Sequence, residues 1–134
     1  MAKLSIIEGI GEAYKTKLNE VGIKSIEDLL EKGITKSSRE EIAEKSGISE
    51  KLVLRWLNHA DLMRIKGIGG EFSEILEAAG VDTVPELARR NAENLTAKIE
   101  EVNKEKELVR RTPTIKMVEE WIKQAKKLPR VLEY

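Results

Sequence analysis

The sequence contains no cysteine, and its 134 residues include one histidine, three prolines and one phenylalanine. The absence of cysteine excludes disulfides, zinc–thiolate sites and cysteine nucleophiles. Because His59 stands alone, a pair of histidine metal ligands and most catalytic triads are excluded as well. A metal site built only from carboxylates is still compatible with this composition. We predict no catalytic residue, no metal ligand and no cofactor.

The chain also lacks a net charge and a long apolar run. Its 24 basic residues balance 24 acidic residues, whereas proteins that hold nucleic acid by bulk electrostatics carry a clear positive excess. No apolar run approaches the ~20 residues of a membrane span, and the N-terminal residues lack the apolar core of a signal peptide. We therefore expect a cytoplasmic protein that has no membrane partner.

Signals for β-structure are close to absent, because no short segment is dominated by Val, Ile, Thr and aromatic residues. Apolar residues make up 40% of the chain and charged residues 36%, which is a composition typical of folded proteins. Ala, Leu, Ile, Glu and Lys dominate and suit helices. The predicted fold class is all-α.

An internal repeat organises the chain. Two segments align without a gap at an offset of 58 residues, and the matched pairs are Gly9 and Gly67, Ile10 and Ile68, Gly11 and Gly69, Tyr14 and Phe72, and Gly22 and Gly80. The later parts align too, Trp56 with Trp121, after a charged insertion near residues 102–109 of the second copy. This repeat predicts two units, residues 1–60 and 61–134, each of four or five short helices.

Local signals within the units predict helix ends. A hydroxyl side chain three residues before a carboxylate predicts an N-cap at Ser25, Ser38 and Thr83, and Thr114 is a further candidate. Each of these positions should mark the start of a helix.

Other signals predict backbone conformation and burial. Gly22 and Gly80 each follow an apolar helical turn, where a left-handed residue is expected. The two tryptophans lie on apolar-periodic helices and are predicted to be core residues rather than stacking platforms for bases. His59 is expected on a helix surface or at a cap.

Two glycine turns carry the candidate chemistry: the first glycine turn, residues 9–11, and the second glycine turn, residues 67–69. Their pattern, apolar-x-Gly-apolar-Gly followed by an apolar helix, resembles the helix-hairpin-helix motif. In that family the apolar residue between the glycines plugs the core, and the next helix offers free N–H groups to a DNA phosphate. The resemblance implies DNA-backbone binding that does not read sequence. A purely structural role, as a tight corner between packed helices, is the alternative.

The second copy is also similar to the domain-of-unknown-function family 4332. The residues that carry this similarity are 65–69, 76–91, 94–95, 102–103, 108–111, 113 and 118–126. Membership of that family implies a tandem helix-hairpin-helix architecture and leaves the function open.

The predicted DNA-binding groups lie mainly in the second copy, and they are Arg64, Lys66, Gly67, Ile68, Gly69, Gly70, Arg110 and Arg111. Gly9, Ile10 and Gly11 form a weaker second site, because Glu8 and Glu12 flank that turn and repel a phosphate. A further basic stretch, residues 123–130, contains no acid, although the helix dipole alone favours cations at a helix C-terminus. A protein-interaction adaptor that binds no nucleic acid is the competing interpretation.

Overall fold

The computed structural model describes residues 2–134, and all regular structure in this range is helical. A short 3₁₀ turn at Leu4–Ile6 precedes eight helices, which are α1 (Glu12–Glu20), α2 (Ile26–Lys32), α3 (Lys36–Ser46), α4 (Glu50–Leu62), α5 (Gly70–Ala78), α6 (Val84–Ala88), α7 (Ala92–Lys106) and α8 (Ile115–Lys127). No strand is present in the described range. The predicted all-α class is confirmed.

The chain forms two compact units, one of Met1–Asp61 with Val131–Tyr134 and one of Leu62–Arg130. The last four residues belong to the first unit, although the repeat places them with the second copy. Contacts within the first unit explain this assignment: the Tyr134 hydroxyl donates to Asn58 Oδ1 at 2.7 Å, and the Glu133 N–H donates to the Ile34 carbonyl at 2.8 Å. Leu132 is buried.

The second unit contains α5 to α8, with α8 packed against α6 and α7, and α5 packed against α7. Its core collects apolar side chains from each of these helices, among them Leu76, Leu87, Leu95 and Val118, all of which have no exposed surface. The helix α8 has apolar residues on one face and lysines on the other, as expected for a surface helix that covers a core. The charged insertion lengthens α7 to Lys106 and then forms a loop.

The predicted helix ends have mixed outcomes. Ser25 and Thr114 are N-caps, since each hydroxyl accepts the N–H of the third residue after it. The prediction for Ser38 is wrong, because α3 begins three residues earlier than predicted and Thr35 is its N-cap. The Ser38 hydroxyl accepts a hydrogen bond from the Thr35 N–H. Thr83 is the N-cap residue of α6, as predicted, although its side chain makes no capping hydrogen bond.

The predictions for the backbone conformation of two glycines and for the exposure of His59 have different outcomes. Gly22 and Gly80 have φ of +85° and +94°, so the predicted left-handed conformation is confirmed. The prediction for His59 is wrong, because it has no exposed surface. The last two turns of α4 are buried, and this includes their polar residues Asn58 and Asp61. The apolar periodicity of α4 does not reveal that burial.

Candidate nucleic-acid interface

The two glycine turns have the same backbone geometry in both units. Gly9 and Gly67 have φ of +97° and +100°, a region that side-chain-bearing residues rarely adopt. Ile10 and Ile68, the residues between the glycines, are only 4% and 5% exposed. Their predicted equivalent burial is confirmed, and both side chains anchor the turn in the core of their own unit.

A buried tryptophan side chain packs against the first glycine of each turn. A Cβ atom placed on Gly9 lies 3.5 Å from the Trp56 Nε1 atom, and one placed on Gly67 lies 3.1 Å from the Trp121 Nε1 atom. Each indole also packs against an aromatic ring of its own unit, with centroid distances of 5.1 and 5.2 Å for the pairs Tyr14–Trp56 and Phe72–Trp121. The two tryptophans are 1% and 2% exposed, which confirms the prediction that they are core residues.

The hydrogen bonds of the turns reduce the set of donors that a phosphate can meet. The Ile68 N–H donates to the Ile65 carbonyl at 3.1 Å, and the Ile10 N–H donates to the Ile7 carbonyl at 3.2 Å. Both N–H groups are already used in hydrogen bonds within the turns. Of the predicted backbone donors, only those of the glycines are left to bind a phosphate. The role of the two isoleucines is to hold the turn through burial.

The first turn of α5 leaves backbone donors open. Gly69 is the N-cap and has no side chain to accept a hydrogen bond, and Gly70 is the first helical residue. Within residues 2–134 no backbone carbonyl accepts the N–H of Gly69 or of Gly70. By contrast, side chains cap five other helices, and these caps are Ser25, Thr35, Ser49, Asn91 and Thr114. The unbonded N–H groups and the helix dipole make the start of α5 suitable for an anion.

Arg64 and Lys66 differ in their availability. The Arg64 guanidinium donates to the Pro129 carbonyl at 2.6 Å, so this side chain ties the segment after α8 to the turn. The Lys66 side chain is exposed, while its peptide is paired with Gln124: the Lys66 N–H donates to Oε1 at 2.9 Å, and the Gln124 amide donates to the Lys66 carbonyl at 3.2 Å. Lys66 is therefore the cation that the turn presents to solvent.

The structure places Arg110 near the start of α5 but in mixed surroundings. Arg110 lines a groove of about 740 Å³ together with Lys104, Glu71 and Glu107, so the two cations share it with two carboxylates. Arg111 is exposed and does not line that groove. The basic pair is thus split, and the positive charge is largely balanced on this side of the second unit.

The first glycine turn is acidic, as its sequence indicates. Glu8 is exposed, and the Glu12 side chain is 88% exposed at the first residue of α1. Lys15 lies 3.9 Å from the Glu12 carboxylate, which is a weak, solvent-screened contact. A phosphate at Gly11 would therefore approach two carboxylates, whereas the second turn has Lys66 before it.

Both glycine turns, with the helices that follow them and the tryptophans that back them, fall within a single family match. The family model described as "Domain of unknown function (DUF4332)" matches residues 8–128, which is most of the chain. The chain belongs to this family. Comparisons of this DUF4332 chain with curated proteins and with solved structures gave no match.

One basic cluster of this DUF4332 chain was not predicted from the sequence. Arg90 and Asn91, at the start of α7, line a groove of about 490 Å³ with Lys123, Lys126 and Lys127 of α8. The basic stretch at residues 123–130 is evident in the sequence, but its partner Arg90 is not marked by any motif. No local pattern joins the two segments, because they are separated by more than thirty residues and meet through the packing of α6 and α7 on α8.

Neither a membrane span nor a metal cluster occurs in the part of the chain that the structure describes. No helix there is long and apolar enough to cross a membrane. Among the same residues, no group of three or more His, Asp or Glu side chains is arranged to hold a metal ion.

Proposed function

We propose that this chain is a non-enzymatic, cytoplasmic module that binds the DNA backbone without reading its sequence, through the second glycine turn and the start of α5. The uncapped first turn of α5 carries the proposal. Gly69 and Gly70 have no Cβ atoms, so a phosphate oxygen can approach their N–H groups without steric hindrance. The exposed Lys66 ammonium adds a cation beside them.

The binding groups follow from this geometry. The N–H groups of Gly69 and Gly70 donate to a phosphate oxygen, and the α5 dipole favours the negative charge. Lys66 contributes long-range attraction, whereas Arg64 supports the turn through Pro129. Because the net charge is zero, local groups rather than the overall charge set the affinity. It is expected at roughly the 10⁻⁴–10⁻⁶ M level typical of non-specific contacts.

Replacing Gly70 with proline should weaken DNA binding at least about tenfold, because proline removes one N–H donor and a charge-assisted hydrogen bond is worth roughly 1.5–3 kcal/mol. Proline suits this position, since the first helical residue needs no N–H for the helix itself. Gly70→Ala is the matched control: it adds a side chain and keeps the N–H. Fluorescence anisotropy with a short labelled duplex at low salt measures both variants.

The proposal fails if Gly70→Pro binds the duplex as tightly as Gly70→Ala, or if the parent chain shows no binding near ~10⁻⁴ M, the weak end of non-specific affinity. Circular dichroism melts of both variants check that the fold is retained. The single change Lys66→Glu should also weaken binding, because it reverses the cation that the turn exposes.

A protein-interaction adaptor is the second candidate, and the acidic first glycine turn favours it. Exposed carboxylates at Glu8 and Glu12 beside an open helix start disfavour phosphate at that unit. If DNA is the ligand, Glu8→Lys with Glu12→Lys should raise the affinity by converting the first turn to a second site. If the chain is an adaptor, neither this change nor Gly70→Pro alters duplex binding.

A further inference from the structure

The groove between the start of α7 and the end of α8 is strongly basic. We call it the lysine groove and define it by Arg90, Asn91, Lys123, Lys126 and Lys127. Its volume is about 490 Å³, its floor includes Ile122, and Glu119 is the single carboxylate among the described residues that line it. Four cations face one acid here, although the whole chain is neutral.

The cations of the lysine groove form no ion pair with a carboxylate among the described residues. Lys123, Lys126 and Lys127 are exposed. Arg90 is held in place by long bonds from its guanidinium to the Gly80 and Ala79 carbonyls, at 3.3 and 3.4 Å. A fixed guanidinium and three exposed ammonium groups around one hollow suit a phosphate group.

The helix dipole explains only part of this cluster. It favours Lys126 and Lys127, which lie in the last turn of α8. It does not explain Lys123 one turn earlier, nor Arg90, which comes from a different segment. Backbone donors at the start of α7 add to the site, because the Asn91 side chain caps the N–H of Asn94 and leaves that of Ala92 unbonded within residues 2–134.

The first unit provides an internal comparison, because the positions that correspond to the lysine groove are tightly packed there. Gly33 aligns with Asn91, and a Cβ atom on Gly33 would lie 2.7 Å from Leu57, the residue that aligns with Ile122. The positions that align with Lys123 and Lys126 are buried, and they are Asn58 and Asp61. The repeat architecture therefore does not require a basic groove at this place. The lysine groove is a feature of the second unit that its shared fold does not explain.

The helix α8 links the lysine groove to the second glycine turn. Gln124 holds the Lys66 peptide through two hydrogen bonds. Residues three or four apart neighbour each other on a helix. Lys127 therefore lies beside both Gln124 and Lys123 on α8, and both lysines are exposed. Basic side chains thus extend from the turn to the groove along one helix.

We infer that the lysine groove binds a second phosphate of the nucleic-acid backbone and supplies most of the salt-dependent part of the affinity. This inference rests on the proposed function for the identity of the ligand. The glycine turn fixes one phosphate by N–H donors, whereas the lysine groove attracts another by charge. A lysine ammonium is a point charge that tolerates any backbone geometry, which agrees with binding that does not read sequence.

The test compares two charge reversals of equal size. Lys126→Glu with Lys127→Glu alters the lysine groove, and Lys98→Glu with Lys106→Glu changes the net charge equally at exposed positions of α7 that do not line it. Duplex binding is measured by anisotropy across a salt series. The groove variant should bind at least about tenfold more weakly, and its salt slope should be shallower by ~0.9 for each phosphate that it no longer neutralises. The α7 variant should stay within about twofold of the parent by the same measure.

A second probe separates the groove from the glycine turn. Inorganic pyrophosphate is titrated into the ¹⁵N-labelled chain, and saturable shifts are expected at the amides of Asn91 and Ala92 in the parent but not in the groove variant. If both charge-reversed variants are weakened equally, or if pyrophosphate leaves these amides unchanged, the groove is not a phosphate site. If pyrophosphate binds there while the duplex does not bind the parent at all, the proposed function and the nucleic-acid ligand both fall. If only Gly70→Pro weakens duplex binding, the proposed function stands and the groove inference falls.

Discussion

Replacing Trp121 with alanine should lower the free energy of unfolding of the second unit by about 3–5 kcal/mol, the usual effect of deleting a buried aromatic side chain. The indole is 2% exposed and packs against Phe72, with ring centroids 5.2 Å apart. Its Nε1 atom lies close to Gly67, so removal of the indole opens a cavity next to the second glycine turn. The surrounding helices can close only part of such a cavity.

Urea unfolding followed by circular dichroism measures this effect, with Met117→Ala as the control on the same helix. Met117 is 36% exposed, so its truncation should lower the free energy of unfolding by well under ~1 kcal/mol. The fluorescence of Trp56 then reports the first unit alone, because no other tryptophan is left in the Trp121 variant. A loss below about 1 kcal/mol for Trp121→Ala would place the indole outside the core.

Replacing Gly67 with alanine should lower the free energy of unfolding by about 1–3 kcal/mol, because the backbone there adopts a conformation that strains an alanine. Gly67 has φ of +100°, and the new Cβ atom would meet Trp121 Nε1 at 3.1 Å. The backbone and the indole must shift together to admit it. A change in the second glycine turn therefore also disturbs the packing of Trp121 in the core.

Gly69→Ala is the matched control for that change. Gly69 has φ of −111°, and a Cβ atom there has nothing within 4 Å. The lower entropy of the unfolded alanine chain and the poorer N-cap roughly offset each other, so the effect should stay within about 1 kcal/mol. Equal losses for the two variants in urea unfolding would contradict the assignment of strain to Gly67.

Much of the fold could be predicted because its determinants are local. Backbone turns that need a positive φ select glycine, so the glycine spacing of the repeat records the turns directly, as Gly9 and Gly67 show. Helix periodicity identified the buried tryptophans in the same way. The error at Ser38 has a local cause as well, because Thr35, Ser37 and Ser38 all carry hydroxyl groups and only the backbone conformation selects the N-cap among them.

The candidate site could be predicted less well, because hydrogen bonding and long-range packing select its members. Ile10 and Ile68 carry N–H groups like their neighbours, but the turn uses them in its own hydrogen bonds. Arg64 and Lys66 both look available in the sequence, yet the Pro129 carbonyl engages only the first. A charge count cannot show these differences.

The sequence by itself determined the helical class, the internal repeat, the two glycine turns and the burial of Trp56 and Trp121, since these depend on periodicity and on backbone conformations that few residues adopt. Only the tertiary structure decided that His59 is buried, that the Ile68 N–H is used within its own turn, and that Arg90 joins three lysines of α8 around one groove. The physical reason is distance along the chain. Packing of α7 against α8 brings together charges that no local pattern relates.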